Sequence, residues 1–374
     1  MSTRNYSVEY PSVESEWDSL VRKVMEGGRI SPEEGIALFE RADLGMLGVL
    51  ADTVRKRKNG EFAFFNRNFH IEPTNLCAYH CKFCSYVKPS GDPGAWELSV
   101  TEMLDIARVH YKKGATEVHI TGGAHPDKGL DYYADLIRRI HEEMPDLHIK
   151  AFSAVELEYM FKKSGVSTEE GLKMLKSSGL GSIPGGGAEI FDEEIRSFIC
   201  PGKNDAASWL NIHEAAHLAG IGSNATMLYG HMETYAHRID HMEKLRSLQD
   251  RTRGFHCFIP LKFKRQNNPL GVHYHEVSSP EDLRNFALSR IFLDNFDHIK
   301  AYWPMLGREM AALSLSFGVD DLDGTIDDST KIYAMAGAED QNPTMTTNAL
   351  TTLIRKTGRC PAERNSLYQT LQVF

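Results

Sequence analysis

From about residue 68 onward the chain alternates short apolar runs of strand length with helices that carry their own start and stop signals. This alternation limits the fold more than any other feature. The strand-like runs fall at 69–72, 117–121, 148–153, 182–183, 222–229, 255–261, 299–303 and 313–319. Between them, Ser99-Val100-Thr101-Glu102 fits a capping box for a helix that Gly114 ends, Ser167-Thr168-Glu169-Glu170 fits one for a helix that Gly179 ends, and Ser279-Pro280 opens a third. Parallel strands need long crossover connections, so the pattern predicts a parallel α/β sheet with its helices outside. Eight such units predict a (β/α)8 TIM-type barrel over residues 61–325. A doubly wound open sheet is the alternative. Residues 1–60 read as a helical N-terminal extension, with Ser31-Pro32-Glu33-Glu34 as a helix start. Residues 326–374 read as a C-terminal helical extension packed on the barrel.

Directly after the first barrel strand comes Thr74-Asn75-Leu76-Cys77-Ala78-Tyr79-His80-Cys81-Lys82-Phe83-Cys84, a C-x3-C-x2-C loop. Three of the six cysteines thus fall within eight positions. A disulfide framework would spread them more evenly, so the pattern points to a reducing compartment and a metal site. Three thiolates on one tight loop can hold three irons of a 4Fe-4S cube and leave the fourth open for a ligand. The same loop could hold zinc, with His80 as fourth ligand, or carry three unrelated buried thiols. Its place favours the cluster, because barrel enzymes build their sites from the loops that follow the strands. Cys200, Cys257 and Cys360 lack partner spacing and read as ordinary buried thiols.

Charge and hydropathy narrow the partners. A net charge of −9 excludes a global attraction to nucleic acid or anionic membrane, so an anionic ligand must meet a local basic pocket. No run approaches the 18 or so apolar residues of a membrane span. Met1-Ser2-Thr3-Arg4-Asn5-Tyr6 has no apolar core of a secretion signal, so a cytoplasmic location is expected.

With Phe83 as its aromatic, the C-x3-C-x-aromatic-C loop resembles the signature of the radical S-adenosylmethionine (SAM) superfamily. The resemblance implies a 4Fe-4S cluster on Cys77, Cys81 and Cys84, whose open iron takes the amino and carboxylate groups of SAM. One electron, from a donor such as flavodoxin or ferredoxin, then releases a 5′-deoxyadenosyl radical. The implied SAM site comprises Phe83 and Tyr86, Gly122 and Gly123 in Thr121-Gly122-Gly123, Ser153 and Glu156 toward the ribose, and Tyr229 along the adenine. Tyr229 lies in Thr226-Met227-Leu228-Tyr229-Gly230-His231-Met232-Glu233, which resembles the superfamily's adenine-flanking strand. Without the resemblance, Gly122-Gly123 is a turn and Ser153 with Glu156 a solvated loop.

Longer segments resemble the aminofutalosine synthase family of the futalosine route to menaquinone, over about residues 40–340. They are Phe65-Asn66-Arg67-Asn68-Phe69-His70-Ile71-Glu72-Pro73-Thr74-Asn75, Pro184-Gly185-Gly186-Gly187-Ala188-Glu189-Ile190, Ile199-Cys200-Pro201-Gly202-Lys203 and Gly318-Val319-Asp320-Asp321-Leu322-Asp323-Gly324-Thr325. Two sibling families, the dehypoxanthine futalosine cyclases and the deazaflavin-cofactor synthases, share parts of these. Pro73 and the Asp-Asp-Leu-Asp-Gly segment favour the synthases.

The implied substrate is 3-[(1-carboxyvinyl)oxy]benzoate. The adenosyl radical adds to its vinyl carbon, the aryl group migrates from oxygen to carbon, and a carboxylate leaves to give 6-amino-6-deoxyfutalosine. SAM is consumed as a cosubstrate. A dianion needs fixed cations. Lys262, Lys264 and Arg265 after strand six and Arg308 after strand seven are the candidates, each with solvated surface as its alternative. Glu189 and His231 are the catalytic candidates, while His119, His125 and His256 read as packed or solvated histidines near strand ends. The rival functions are the hydrogen-abstracting sibling cyclase and a non-catalytic, zinc-stabilised barrel that binds a ligand.

Overall fold

The computed structural model describes residues 16–324, 330–341 and 343–374, so the readings of residues 1–6 and of Thr325 lie outside the described residues. Nine strands form the barrel: β1 (Phe62–Phe65), β2 (Asn68–Ile71), β3 (Glu117–Ile120), β4 (His148–Ala151), β5 (Ser182–Ile183), β6 (Gly222–Tyr229), β7 (Phe255–Lys262), β8 (His298–Ala301) and β9 (Asp321–Leu322). From β2 to β9 they pair in parallel and in chain order. β1 and β2 are halves of one run broken at Asn66-Arg67. The first half pairs with β9, Phe64 opposite Asp321, and the second half pairs with β3. That run therefore joins the last strand to the first, and the sheet closes as the eight-unit barrel the alternation predicts. The seam needs a glycine: a Cβ on Gly324 would stand 1.4 Å from the Asn66 carbonyl oxygen.

The helices start where their caps predict. Ser31 with Glu34, Ser99 with Glu102 and Ser167 with Glu170 each form a complete capping box. The N-terminal helices Pro32–Arg41 and Leu44–Asn59 pack on the outer helix Ser279–Phe292, adding a layer to the barrel wall.

Three elements differ from expectation. Residues 313–319 are not a strand: the helix Arg308–Ser314 runs into them, and the last barrel strand is β9. Leu315 and Val319, four apart, are buried while Leu313 is exposed, which is the burial of a helical turn despite the alternating apolar letters. β1 was not expected at all. The C-terminal segment, expected to be helical, holds the helix Thr347–Lys356 followed by β10 (Cys360–Arg364) and β11 (Thr370–Val373). β10 pairs in parallel with β1, and β11 pairs antiparallel with β10. The loop between them lies beneath the barrel, where Tyr368 stacks on His298 at 3.9 Å between ring centroids.

Candidate active site

The cysteine loop leaves the C-terminal end of β2 and is tied to its neighbours by main-chain hydrogen bonds. Ala78 N–H donates to the Ala124 carbonyl (2.8 Å), Lys82 N–H to Ile199 (2.7 Å), and Leu270 N–H to Lys82 (2.8 Å). The segments that follow β3, β5 and β7 thereby hold it, the second through the end of the helix Glu193–Ile199. Gly123 packs directly on it: a Cβ there would come 2.0 Å from the Leu76 carbonyl oxygen. The Gly122-Gly123 turn does allow a close backbone approach, and the loop itself is one thing it approaches.

All three thiols are free and half-buried. Burial pushes each of them up, Cys81 to about 12, so their thiolate forms need a bound cation to offset the desolvation. Tyr79 N–H points at the Cys77 sulfur from 3.4 Å, the kind of donor that tunes a cluster thiolate. His80 is exposed. Among the described residues no three His, Cys, Asp or Glu side chains converge as the ligands of one ion would. A cube takes each thiolate on a different iron and needs no such convergence. The donor set therefore fits the 4Fe-4S cluster and not the zinc site with His80.

Beside the loop lies a buried ion pair that the sequence did not reveal. Lys203 Nζ bonds to Glu189 and sits 5.6 Å from the centroid of the Phe83 ring. Burial alone would lower the ammonium, but Glu189 and the sulfurs of Cys81 and Cys200 outweigh it and raise it. Glu189, expected as a catalytic candidate, occupies a left-handed conformation (φ 50°) with its carbonyl accepting from Leu228 N–H at 2.8 Å.

Ser153 and Glu156 do not lie in a loop. They form the capping box of a helix, Ala154–Ser164, that the sequence reading missed. The Glu156 carboxylate also accepts from Thr121 Oγ1 (3.0 Å) and Gly122 N–H (3.1 Å), so it pins the glycine turn. Burial raises it, and those hydrogen bonds counter the rise. Tyr86 is buried edge-on to Trp96, and its hydroxyl has no hydrogen-bond partner among the described residues. A ligand heteroatom would satisfy it. Tyr229 faces away from the barrel axis and donates to Asp282 Oδ1 at 2.8 Å. His231 is likewise enclosed, with Nε2 3.3 Å from the Leu228 carbonyl, and burial lowers it.

The expected basic ligands lie elsewhere than the barrel interior. Inward and outward residues alternate along β7: Ile259 and Leu261 face the cavity. Lys262 therefore turns outward, against the expectation, and pairs with Asp282 at 2.7 Å. Lys264 pairs with Glu276 at 2.9 Å, Arg265 is exposed against His275 (2.7 Å), and Arg308 is exposed against Asp340 (2.9 Å). His125 contacts Glu97 at 3.1 Å, away from the axis, and His256 lies near the start of β7 at the other end.

The interior instead holds a cavity of about 190 Å³ beneath the mouth, reached by Asn68, His119, Lys150, Thr226, Lys300 and Tyr302 among others. Its two lysines were missed. The available signal was a lysine flanked by apolar residues in a short strand, His-Ile-Lys-Ala, which occurs at both 148–151 and 298–301.

A closed parallel barrel with a three-thiol loop at its mouth and a cavity below it defines a cluster-bearing barrel enzyme. Residues 71–245 match the radical SAM superfamily model and residues 252–374 match the CofH/MqnC C-terminal region. The chain belongs to the radical SAM superfamily, in the branch that carries this C-terminal region. Its cofactors are accordingly a 4Fe-4S cluster and SAM. It is 42% identical over 358 residues to the aminodeoxyfutalosine synthase of Thermus thermophilus, covering 95% of this chain and 96% of that one. It is 38% identical over 358 residues to the cyclic dehypoxanthine futalosine synthase of Streptomyces coelicolor, covering 95% and 88%. Among solved structures, the FeFe-hydrogenase maturase HydG from Carboxydothermus hydrogenoformans shares the fold with a TM-score of 0.73 at 19% identity, covering 94% of this chain and 80% of that one.

Proposed function

We propose that this enzyme is an aminodeoxyfutalosine synthase, a transferase that joins the adenosyl group of SAM to 3-[(1-carboxyvinyl)oxy]benzoate. The observation that carries the reading is the 42% identity to the Thermus thermophilus synthase along 95% of the chain. Cys77, Cys81 and Cys84 hold the cluster, and Lys203 with Glu189 supplies the buried charge beside it. When bound, the cluster and SAM supply a 5′-deoxyadenosyl radical.

The rest of the site positions and protects. Glu156 fixes the Thr121-Gly122 turn against the cysteine loop, so the turn is held at a set height above the cavity. Tyr86 offers an unfilled hydroxyl at the same level. Ile259 and Leu261 give the cavity an apolar wall that keeps water from a reactive carbon. Holding the vinyl carbon at near-attack distance is then a matter of how the substrate is anchored below. No described helix is long and apolar enough to cross a membrane. The reductant is a small electron-transfer protein such as flavodoxin or ferredoxin, and the cytoplasm is the location that suits both.

Addition to a double bond leaves the 5′ carbon bonded to product, whereas abstraction of hydrogen releases it as 5′-deoxyadenosine. Anaerobic turnover with SAM labelled in its adenosine, the enolpyruvyl benzoate and dithionite separates the two. We expect most of the label in the product by mass spectrometry. Near-stoichiometric labelled 5′-deoxyadenosine with an unlabelled product would instead assign the chemistry of the sibling cyclase.

A further inference from the structure

The cavity has a cation on each of two opposite walls. β4 and β8 stand four strands apart in an eight-unit barrel, and each turns the lysine of its His-Ile-Lys-Ala sequence inward. The two lysines are not equivalent. Lys150 Nζ donates to Glu117 Oε2 at 2.7 Å, a tight neutralising pair. Lys300 is 2% exposed, and its nearest carboxylate oxygens, on Asp323 and Asp321, stand at 3.6 and 3.9 Å, beyond hydrogen-bond distance. The Asp321 oxygen is already held by Arg364 and by the Tyr368 hydroxyl. Asp323 accepts from Asn68 Nδ2 at 3.4 Å.

A lysine ammonium has three donors, and leaving them unfilled in a buried site is costly. Lys300 thus keeps its charge near two carboxylates while none of its donors is taken among the described residues. A second group on the same cavity behaves alike: His119 Nε2 is buried with no hydrogen-bond partner among the described residues. Burial, and then His70, lower His119 to about 3, so its ring is neutral and presents one donor and one acceptor. A cation and a neutral donor lining one cavity are the groups that a carboxylate requires.

We propose that Lys300, assisted by His119 Nε2, binds the ring carboxylate of the benzoate substrate and so sets which end of the substrate faces the mouth. This rests on the synthase reading. The vinyl carbon must lie toward the cysteine loop, and the enolpyruvyl carboxylate is bonded to that same carbon unit. Only the ring carboxylate, at the far end of the molecule, is free to descend to the level of Lys300. The anchor takes no part in bond making. It acts on KM and on the choice between aryl enol ethers with and without an acidic ring substituent.

The test compares 3-[(1-carboxyvinyl)oxy]benzoate with 2-phenoxyacrylate, the same enol ether lacking the ring carboxylate, on wild-type holoenzyme and on Lys300→Met and Lys300→Gln. A charged hydrogen bond to a carboxylate corresponds to about a ten- to hundredfold preference. Wild-type enzyme should prefer the benzoate by about that factor in KM. Both variants should lose the preference, with iron content and SAM affinity unchanged. The wild-type comparison of the two ligands does not depend on either variant folding, and either variant alone suffices. Equal wild-type KM values for the two ligands, or a variant that keeps the preference, would overturn the assignment of Lys300. A wild-type enzyme that takes SAM but neither binds nor converts the benzoate overturns the synthase reading, and the anchor with it.

Discussion

The two ends of the barrel treat polar groups in opposite ways. At the floor, beneath β7 to β9, the acids are surrounded by partners. Asp320 receives Arg290, His298 Nδ1 (2.6 Å) and Ile299 N–H (2.8 Å), while Asp321 receives Arg364 Nε (3.0 Å) and the Tyr368 hydroxyl. Burial pushes Asp320 up, but Arg290, His298 and the Ile299 N–H together outweigh it and hold the carboxylate below its usual range. At the mouth and in the cavity below it, three thiols are unbridged, and the Tyr86 hydroxyl and His119 Nε2 are buried without partners among the described residues. Buried polar groups are normally satisfied. The floor's ion pairs meet that rule largely within the chain, with Asp321 Oδ1, His256 Nδ1 and Ser366 Oγ left over among the described residues, whereas the mouth would meet it by binding cofactor and substrate. The floor is therefore built for stability and the mouth for ligands.

The largest contrast should come from removing one group at each end. Cys77→Ala, Cys81→Ala or Cys84→Ala should each abolish turnover and lower iron content and the brown absorbance. Each thiolate holds a different iron, and a lost one cannot be replaced by solvent without loss of the cube. The thermal unfolding of the metal-free proteins should stay close to that of metal-free wild type, because the loop is held by main-chain hydrogen bonds to the segments that follow β3, β5 and β7. Cys200→Ala, Cys257→Ala and Cys360→Ala should keep the cluster. A functional cluster in Cys81→Ala would sink the ligand assignment.

The floor should respond the other way. Arg364 is fully buried, and its removal leaves Asp321 with only the Tyr368 hydroxyl and the more distant Lys300 ammonium at 3.9 Å. Breaking such a pair typically destabilises by about 3–5 kcal/mol. Arg364→Met should therefore lower the denaturant midpoint strongly. At temperatures where it stays folded, it should still incorporate the cluster and bind SAM. Loss of the cluster at unchanged stability would mean that the two ends are not separable.

How much of this was legible in the sequence follows the same division. The cysteine loop, the glycine turn and three capping boxes are local patterns, set by spacings of two to four residues, and all were read from the letters. The floor is made by pairs far apart in the chain, such as Arg364 with Asp321, which no local period encodes. β10 and β11 were missed for that reason: the partner of β10 is β1, some 300 residues earlier by the pairing of Phe62 with Cys360, and β11 pairs with β10. Lys262 was misplaced by one step of the strand alternation. A shift of one residue moves a side chain from the cavity to the helix layer, where Asp282 waits. Ser153 and Glu156 are a different kind of miss. Their Ser-x-x-Glu spacing is the signature read correctly elsewhere, but at a strand end the helix it opens was not read from it. Lys150 and Lys300 escaped because a lysine in a strand is usually solvated, and only closure of the barrel makes it internal.

The smallest effect expected is on acid stability, and it too discriminates between the ends. His256 lies at the floor, His119 on the cavity wall and His241 in the outer layer; burial, the leading cause in each, lowers all three to about 3. In the unfolded chain a histidine titrates near 6.5. Between those two values the unfolded state binds more protons, so stability rises with pH across the window and is lost as pH falls below about 6.5. Each histidine contributes a slope of up to roughly 1.4 kcal/mol per pH unit there. The depressed carboxylates, Glu117 and Asp320, act in another window: their contribution is present above the unfolded carboxylate values and disappears only below about pH 4.5. Melting temperatures measured at constant ionic strength between pH 6.5 and 5 therefore report mainly the histidines, opposed toward the lower end by carboxyls that burial raises, such as Glu156, and they should fall. His256→Gln should flatten that fall by about one proton's share, with or without ligand. His119→Gln should flatten it in the free protein and less so with benzoate bound, because a ligand on Nε2 alters how easily that ring takes up a proton. A melting temperature that is flat from pH 6.5 to 5 would show that these rings reach water, and the cavity would lose its main physical support.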